Sequence, residues 1–168
     1  EGIYISTLGG AGPDGTDGPP GVFILDCESF DIRGRWEIDR GPQKLHYDFW
    51  WNLPRDYMVS SEWGLPPQFE NGIVAEDLLG NRYGHQLHFW ELRARRHVQS
   101  IDLGANHQMA LEVRPAHRAR GAEHSARVAR SPLSIERVRL LNLDSVVDCD
   151  LGVVGFPRGQ WRDADRAG

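Results

Sequence analysis

Hydrophobic positions in the first hundred residues come in short runs broken by glycine, proline and aspartate, a spacing that suits strands rather than helices. Residues 2–8 (Gly-Ile-Tyr-Ile-Ser-Thr-Leu) alternate and are β-branched, which predicts a strand. Residues 9–21 end it, with glycine, proline or aspartate at 11 of 13 positions, the composition of a turn-rich loop. The apolar run Val22-Phe23-Ile24-Leu25 predicts a strand buried on both faces, followed by a turn over 26–31 and another strand over 32–38.

The same order then recurs. Strands are expected over 57–63, 86–90 and 98–103, with a long polar connection over 64–84 and a turn over 91–96. An offset of 65 residues sets Val22 on Leu87, Ile24 on Phe89, Asp26 on Glu91, Trp36 on Ile101 and Ile38 on Leu103. Only residues 75–79 hint at a helix. Repeated units of three or four short antiparallel strands are the pattern of propeller blades, and a ring needs roughly 4 to 8 of them. The expectation is therefore an all-β chain, a fragment of a β-propeller of about two blades.

Composition narrows this further. With 168 residues, 40% hydrophobic and 26% charged, the chain is neither disordered nor collagenous nor a coiled coil. No apolar run reaches the roughly 18–20 residues of a membrane span, and the first ten residues lack a secretory leader's pattern. The net charge of −5 argues against a nucleic-acid partner. Cys27 and Cys149 stand apart with no Cys-x-x-Cys pair, so a reducing, cytoplasmic setting is expected. The composition also breaks at His117: residues 1–117 hold 14 of the 16 aromatics and a net charge of −7, whereas 118–168 hold two aromatics and a net charge of +2. The stretch after the break is rich in alanine and arginine and predicts an irregular tail.

Seven histidines (His46, His85, His88, His97, His107, His117 and His124) are the obvious candidates for transition-metal chemistry, since neutral imidazole is a common ligand. Their spacing matches no metal motif, and for each one a surface or hydrogen-bonded structural role is favoured. His85 and His88 are three apart on an expected strand and so point to opposite faces. His97, among Arg93, Arg95 and Arg96, is the weakest ligand candidate, because nearby cations oppose both protonation and metal binding. The aromatic run 47–51 (Tyr-Asp-Phe-Trp-Trp) suits core packing better than ligand stacking. Arg93 to Arg96 suit an exposed hairpin tip, and Cys27 has no adjacent base to activate it. Glu62, a carboxylate at the end of an apolar strand beside Trp63, must be paired, perturbed or functional, with pairing favoured.

Four blocks carry a resemblance. Residues 21–37 (GVFILDCESFDIRGRWE), 46–64 (HYDFWWNLPRDYMVSSEWG), 83–104 (YGHQLHFWELRARRHVQSIDLG) and 107–117 (HQMALEVRPAH) resemble the selenium-binding protein family, whose members include methanethiol oxidases. The resemblance covers residues 2–117 and implies a β-propeller several hundred residues long, of which this is an internal slice. It also implies oxidation of methanethiol, a small thiol substrate, with oxygen and water to formaldehyde, hydrogen sulfide and hydrogen peroxide. Copper is required by bacterial members, and selenium binding and protein transport are attached to the family. His85 and His117 fall in the family's Tyr-Gly-x-His and Pro-Ala-His type positions and His107 in its His-Gln-Met block, so these three are the implied metal ligands.

There are departures from the family pattern. Cys27 stands where relatives have glycine, and Asp56 where a histidine or asparagine is common. The family's cysteine-containing N-terminal segment and histidine-containing C-terminal blades are missing, so the partners implied are the remaining blades of the propeller. Residues 118–168 read as divergent, in the manner of out-of-frame or unspliced sequence. A non-enzymatic selenium-binding or protein-interaction module is the rival reading.

Overall fold

The computed structural model describes residues 2–10, 18–115, 135–141 and 146–152, the last two as backbone strands. They form three antiparallel sheets. The first runs in the order β1 (Ile3–Thr7), β2 (Gly21–Leu25), β3 (Ile32–Arg35). The second and largest takes β4 (Phe49–Asn52), β5 (Tyr57–Ser61), β6 (Gln86–Glu91) and β7 (Arg96–Asp102) in sequence order. In the third, β9 (Ile135–Leu141) lies between β8 (Glu112–Pro115) and β10 (Val146–Gly152). The one α-helix among the described residues, α1 (Ala75–Leu79), sits in the long connection where the sequence hinted at it. The described chain is thus all-β, and none of its helices is long and apolar enough to cross a membrane.

The middle sheet is packed on both faces. Every residue of β5 is buried, as are Leu87, His88, Phe89 and Trp90 of β6. Alternation along the two strands divides them between two cores. Tyr57, Val59, Leu87 and Phe89 pack with Ala110 and with Val113 of β8, and Trp50, Ile101 and Leu103 close the rim. On the opposite face Met58 and Trp90 meet Val22 and Trp36, flanked by Ile24, Phe49 and Trp51. Edge-on aromatic contacts stitch the first sheet to the second, Tyr4 to Trp51 at 4.8 Å and Trp36 to Trp90 at 6.0 Å between centroids. A fully buried large apolar side chain contributes about 1.5–3 kcal/mol and an exposed ion pair about 0–1 kcal/mol. The two cores therefore hold the sheets together, and the exposed Arg33–Asp26 and Arg96–Glu91 pairs add little.

Two expectations are corrected. Only Val22 and Gly21 of β2 are buried; Phe23, Ile24 and Leu25 are half-exposed, because the first sheet has just one covered face and leaves Ile3, Tyr4, Ile5 and Ile32 exposed. The expected irregular tail also contains two strands. Residues 146–151 alternate between apolar and acidic over much of their length, and the register sets Asp148 opposite Arg139 and Asp150 opposite Arg137, so backbone pairing with β9 extends the sheet started by β8. The remainder of 118–168, outside the two strands, lies outside the described residues.

The long connection is pinned from beneath by Tyr83. Its hydroxyl donates to the Gln68 carbonyl at 2.6 Å and accepts from the Val74 amide at 2.9 Å. Gln108 holds the next loop to the same place, accepting from the Tyr83 amide and donating to the carbonyls of Leu78 and Ala105. Between the two, Gly84 donates to the Trp63 carbonyl. A side chain there would overlap that of Glu62 and lie 2.8 Å from the Glu62 and Trp63 backbone. Gly84→Ala is expected to cost about 1–3 kcal/mol by overpacking, read as a lower urea midpoint with an unchanged slope; an unchanged midpoint would show that the end of β5 gives way freely.

Candidate functional site

The segment from Trp36 to Asp48 carries the chain from the first sheet to the second, and it does so along the β6–β7 hairpin. Ile38 donates to the Arg95 carbonyl at 2.8 Å, and the His97 amide donates to the Asp39 carbonyl at 2.9 Å. Gly41 takes a left-handed turn, φ 54°, where a Cβ would meet the His97 ring at 2.5 Å. Further on, Gln43 donates to Ser60 Oγ, and the Tyr47 amide donates to the Ser61 carbonyl as the chain enters β4. This crossing brings polar side chains into the space between the sheets.

The result is a buried cluster of imidazoles around a carboxylate. His88, fully buried at the centre of β6, has its Nε2 2.9 Å from Glu62 Oε1. Its Nδ1 lies 3.1 Å from Nε2 of His97 and 3.1 Å from Oγ of Ser100. The latter two atoms are themselves 3.1 Å apart. Ser60 on the neighbouring strand accepts from the Trp90 indole at 2.9 Å and from Gln43 at 3.1 Å, a second set of polar contacts on the same face. Glu62 is paired, as its setting in the sequence suggested.

His97 reaches this cluster because β7 carries a bulge. His88 pairs with Ser100 and Phe89 with Gln99, but Trp90 pairs with His97, leaving Val98 unmatched. In an unbroken strand residues 97 and 100 point to opposite faces; the extra residue re-aims His97 onto the side of Ser100. The sequence reading set His97 aside because of its arginine neighbours. In the structure Arg96 pairs with Glu91 at 2.9 Å and Arg93 lies 3.6 Å from Asp56, so both cations have carboxylate partners.

The second buried imidazole is His46. Its Nδ1 meets Ser6 Oγ at 2.9 Å, and that hydroxyl donates to the Tyr47 carbonyl, while Nε2 has no partner among the described residues. Burial pushes its pKa down to about 3, with His88, Arg40 and Arg35 opposing the charge further. His97 is also held below the ordinary imidazole range, first by burial and then by His88, with Asp39 acting in the other direction.

The implied metal ligands lie elsewhere. His85 directly precedes β6, its Nδ1 3.0 Å from the Tyr83 carbonyl and its Nε2 3.7 Å from Asp102 Oδ1. His107 ends the short 3-10 turn Ala105–His107. Backbone hydrogen bonds of 2.8 Å from Leu103 to His85 and from Met109 to Gly84 bring the two segments side by side. His117 lies outside the described residues, as does His124. Among the described residues no group of three or more His, Cys, Asp or Glu side chains is arranged to hold a metal ion. The aromatic run 47–51 proves structural: Phe49 to Trp51 lie in β4 and Tyr47 meets Trp63 edge-on at 4.1 Å. Cys27 is a free, exposed thiol.

Comparison with known proteins decides the family. The profile of the 56kDa selenium binding protein (SBP56) family matches residues 1–142. The chain belongs to this family. Among its relatives, a methanethiol oxidase of Xenopus laevis is 41% identical over 115 residues, covering 68% of this chain and 24% of the relative. A methanethiol oxidase of Danio rerio is 37% identical over 121 residues, covering 72% of this chain and 26% of the relative. Selenium-binding protein 3 of Arabidopsis thaliana is 36% identical over 115 residues, covering 68% and 23% respectively. The crystal structure of a hypothetical selenium-binding protein from Sulfolobus tokodaii superposes with a TM-score of 0.63 at 37% identity, over 89% of this chain and 33% of that one. The chain thus spans about a quarter of the length of the curated relatives named here. The family match reaches residue 142, beyond the composition break at His117.

The low pKa of His46 sets an acid limit on stability. The unfolded chain binds this proton near pH 6.5 and the folded chain only near pH 3. Stability from this group is therefore full above about pH 6.5 and is lost as pH falls from there toward 3, by about 2 kcal/mol at pH 5 and about 4 kcal/mol at pH 3. Urea midpoints measured from pH 7 to 4 should fall less steeply in His46→Leu than in the native chain; equal slopes would mean that the buried proton acceptor is another group.

Proposed function

We propose that this chain is a segment of a methanethiol-oxidase-like selenium-binding protein, in which its sheets are successive blades of a β-propeller. The observation that carries the reading is the 41% identity to the Xenopus laevis methanethiol oxidase, within a family match that takes in residues 1–142. The packing supports it: a four-stranded sheet covered on each face by a neighbouring sheet is how blades stack around a ring. The reaction proposed for the whole protein is oxidation of methanethiol with oxygen and water to formaldehyde, hydrogen sulfide and hydrogen peroxide. A cytoplasmic setting goes with it.

Copper is the cofactor proposed for that reaction, with His85, His107 and His117 as contributors from this stretch. The described residues fit such a centre only in part. His85 and His107 stand on adjoining segments, and Nδ1 of His85 is occupied by the Tyr83 carbonyl, so only its Nε2 is open to a metal. The described residues do not make a copper centre by themselves, and the remaining ligands would have to come from other parts of the propeller.

A second reading, a non-catalytic selenium-binding or protein-interaction module, is favoured by the name of the Arabidopsis relative and by the exposed apolar side chains of the first sheet. Release of sulfide and peroxide from methanethiol by the 168-residue chain, with copper supplied, should not exceed the protein-free blank, since most of the proposed ring is not in it. Sustained turnover would overturn the view that the activity needs further blades. Tight copper binding that is lost on replacing His85, His107 and His117 together supports the oxidase reading, and no copper binding supports the module.

A further inference from the structure

We propose that Nδ1 of His88, Nε2 of His97 and Oγ of Ser100 form a binding site for a zinc-type divalent cation, separate from the histidines that the family resemblance singles out. The three atoms make a triangle with all edges at 3.1 Å. Two donors on a tetrahedral zinc ion, with zinc–nitrogen bonds of about 2.0–2.1 Å, stand about 3.3 Å apart. The triangle is contracted from that by only a few tenths of an ångström, and an ion seated just off its plane meets all three atoms.

Hydrogen bonding satisfies this triangle in one tautomer of His97 and not in the other. Glu62 Oε1, at 2.9 Å, accepts the Nε2–H of His88, which leaves Nδ1 of that ring with one lone pair and no proton. If Nε2 of His97 carries a proton, it donates to Ser100 Oγ, whose own hydroxyl donates to His88 Nδ1. If Nε2 of His97 carries none, the single hydroxyl proton serves one of two facing lone pairs, and the edge between the rings sets acceptor against acceptor at 3.1 Å. In that second tautomer a cation at the centre takes up a lone pair from each atom and removes the conflict.

The surroundings suit a metal. A carboxylate hydrogen-bonded to the far nitrogen of a ligating imidazole is the usual outer support of such sites, where it orients the ring and raises its basicity. Glu62 holds that position behind His88. Asp39, whose carbonyl accepts from the His97 amide, adds negative charge beside that ring. Two imidazoles and a hydroxyl leave room for solvent or a substrate atom, and His97 and Ser100, both only partly buried on the edge strand β7, give the ion a way in. The bulge at Val98 has a purpose on this reading, since it is what sets His97 beside Ser100.

Cobalt(II), the spectroscopic stand-in for zinc, provides the test on the 168-residue chain. Equilibrium dialysis should find one equivalent that gives the visible bands of a four- or five-coordinate ion. His97→Gln, a change at a partly exposed position that leaves the buried His88–Glu62 pair in place, should remove that equivalent. Glu62→Gln keeps an acceptor oxygen behind His88 and should weaken binding about 10-fold without abolishing it. His107→Gln should leave this equivalent in place. No cobalt bound, binding unchanged in His97→Gln, or binding lost in His107→Gln but kept in His97→Gln would each overturn the proposal.

Discussion

Everything in this structure depends on two strands being dry on both sides. β5 and β6 carry apolar or hydrogen-bonded side chains on both faces, so neither is stable in a sheet with a wet face. The first sheet has to cover Met58 and Trp90, and the segment around Ala110 and Val113 has to cover Tyr57, Val59, Leu87 and Phe89. The outer strands follow from that demand: β7 and β4 complete the backbone pairing of the central pair, and the crossing segment is drawn against the hairpin by its amide bonds to Arg95 and from His97.

The same demand explains why the polar cluster is so tightly organised. Once Ser60, Glu62 and His88 alternate with Met58 and Trp90 on a face that another sheet covers, each polar atom must find a partner inside the protein. Glu62 answers His88, Ser60 answers the Trp90 indole and Gln43, and His97 with Ser100 closes the far side. The network fixes one tautomer of His88 and one rotamer for each partner. That is the preorganisation from which a binding site is made, and a purely apolar face does not offer it.

The sequence made the strands with strong alternation plain: β1, β2, β5, β6 and β7 all fall where apolar runs and turn residues set them, as does the short helix over 75–79. β4 was hidden by its composition, since three successive aromatics read as a packing cluster before they read as a strand. β9 and β10 were hidden because arginines and aspartates interrupt them, and charges of that kind look like loop until the register sets them opposite one another. Within the candidate site, Glu62 was legible because a carboxylate beside Trp63 on an apolar strand has to be paired. His97 was not, because period-two reasoning puts it on the face opposite Ser100, and nothing local in the residues around Val98 marks the extra residue. Long ordered blocks of sequence identified the family where no single short motif would have done so.

The unmatched Val98 also bears on how relatives of this chain are compared. The side of the sheet that the histidine occupies is decided by the number of residues in the hairpin as much as by their identity. Two homologues that align well over this stretch but differ by one residue between Trp90 and Ser100 would present different chemistry to the inter-sheet space. A single codon gained or lost in the hairpin could thus assemble or dismantle the cluster without altering any of its members, and percentage identity would register almost nothing.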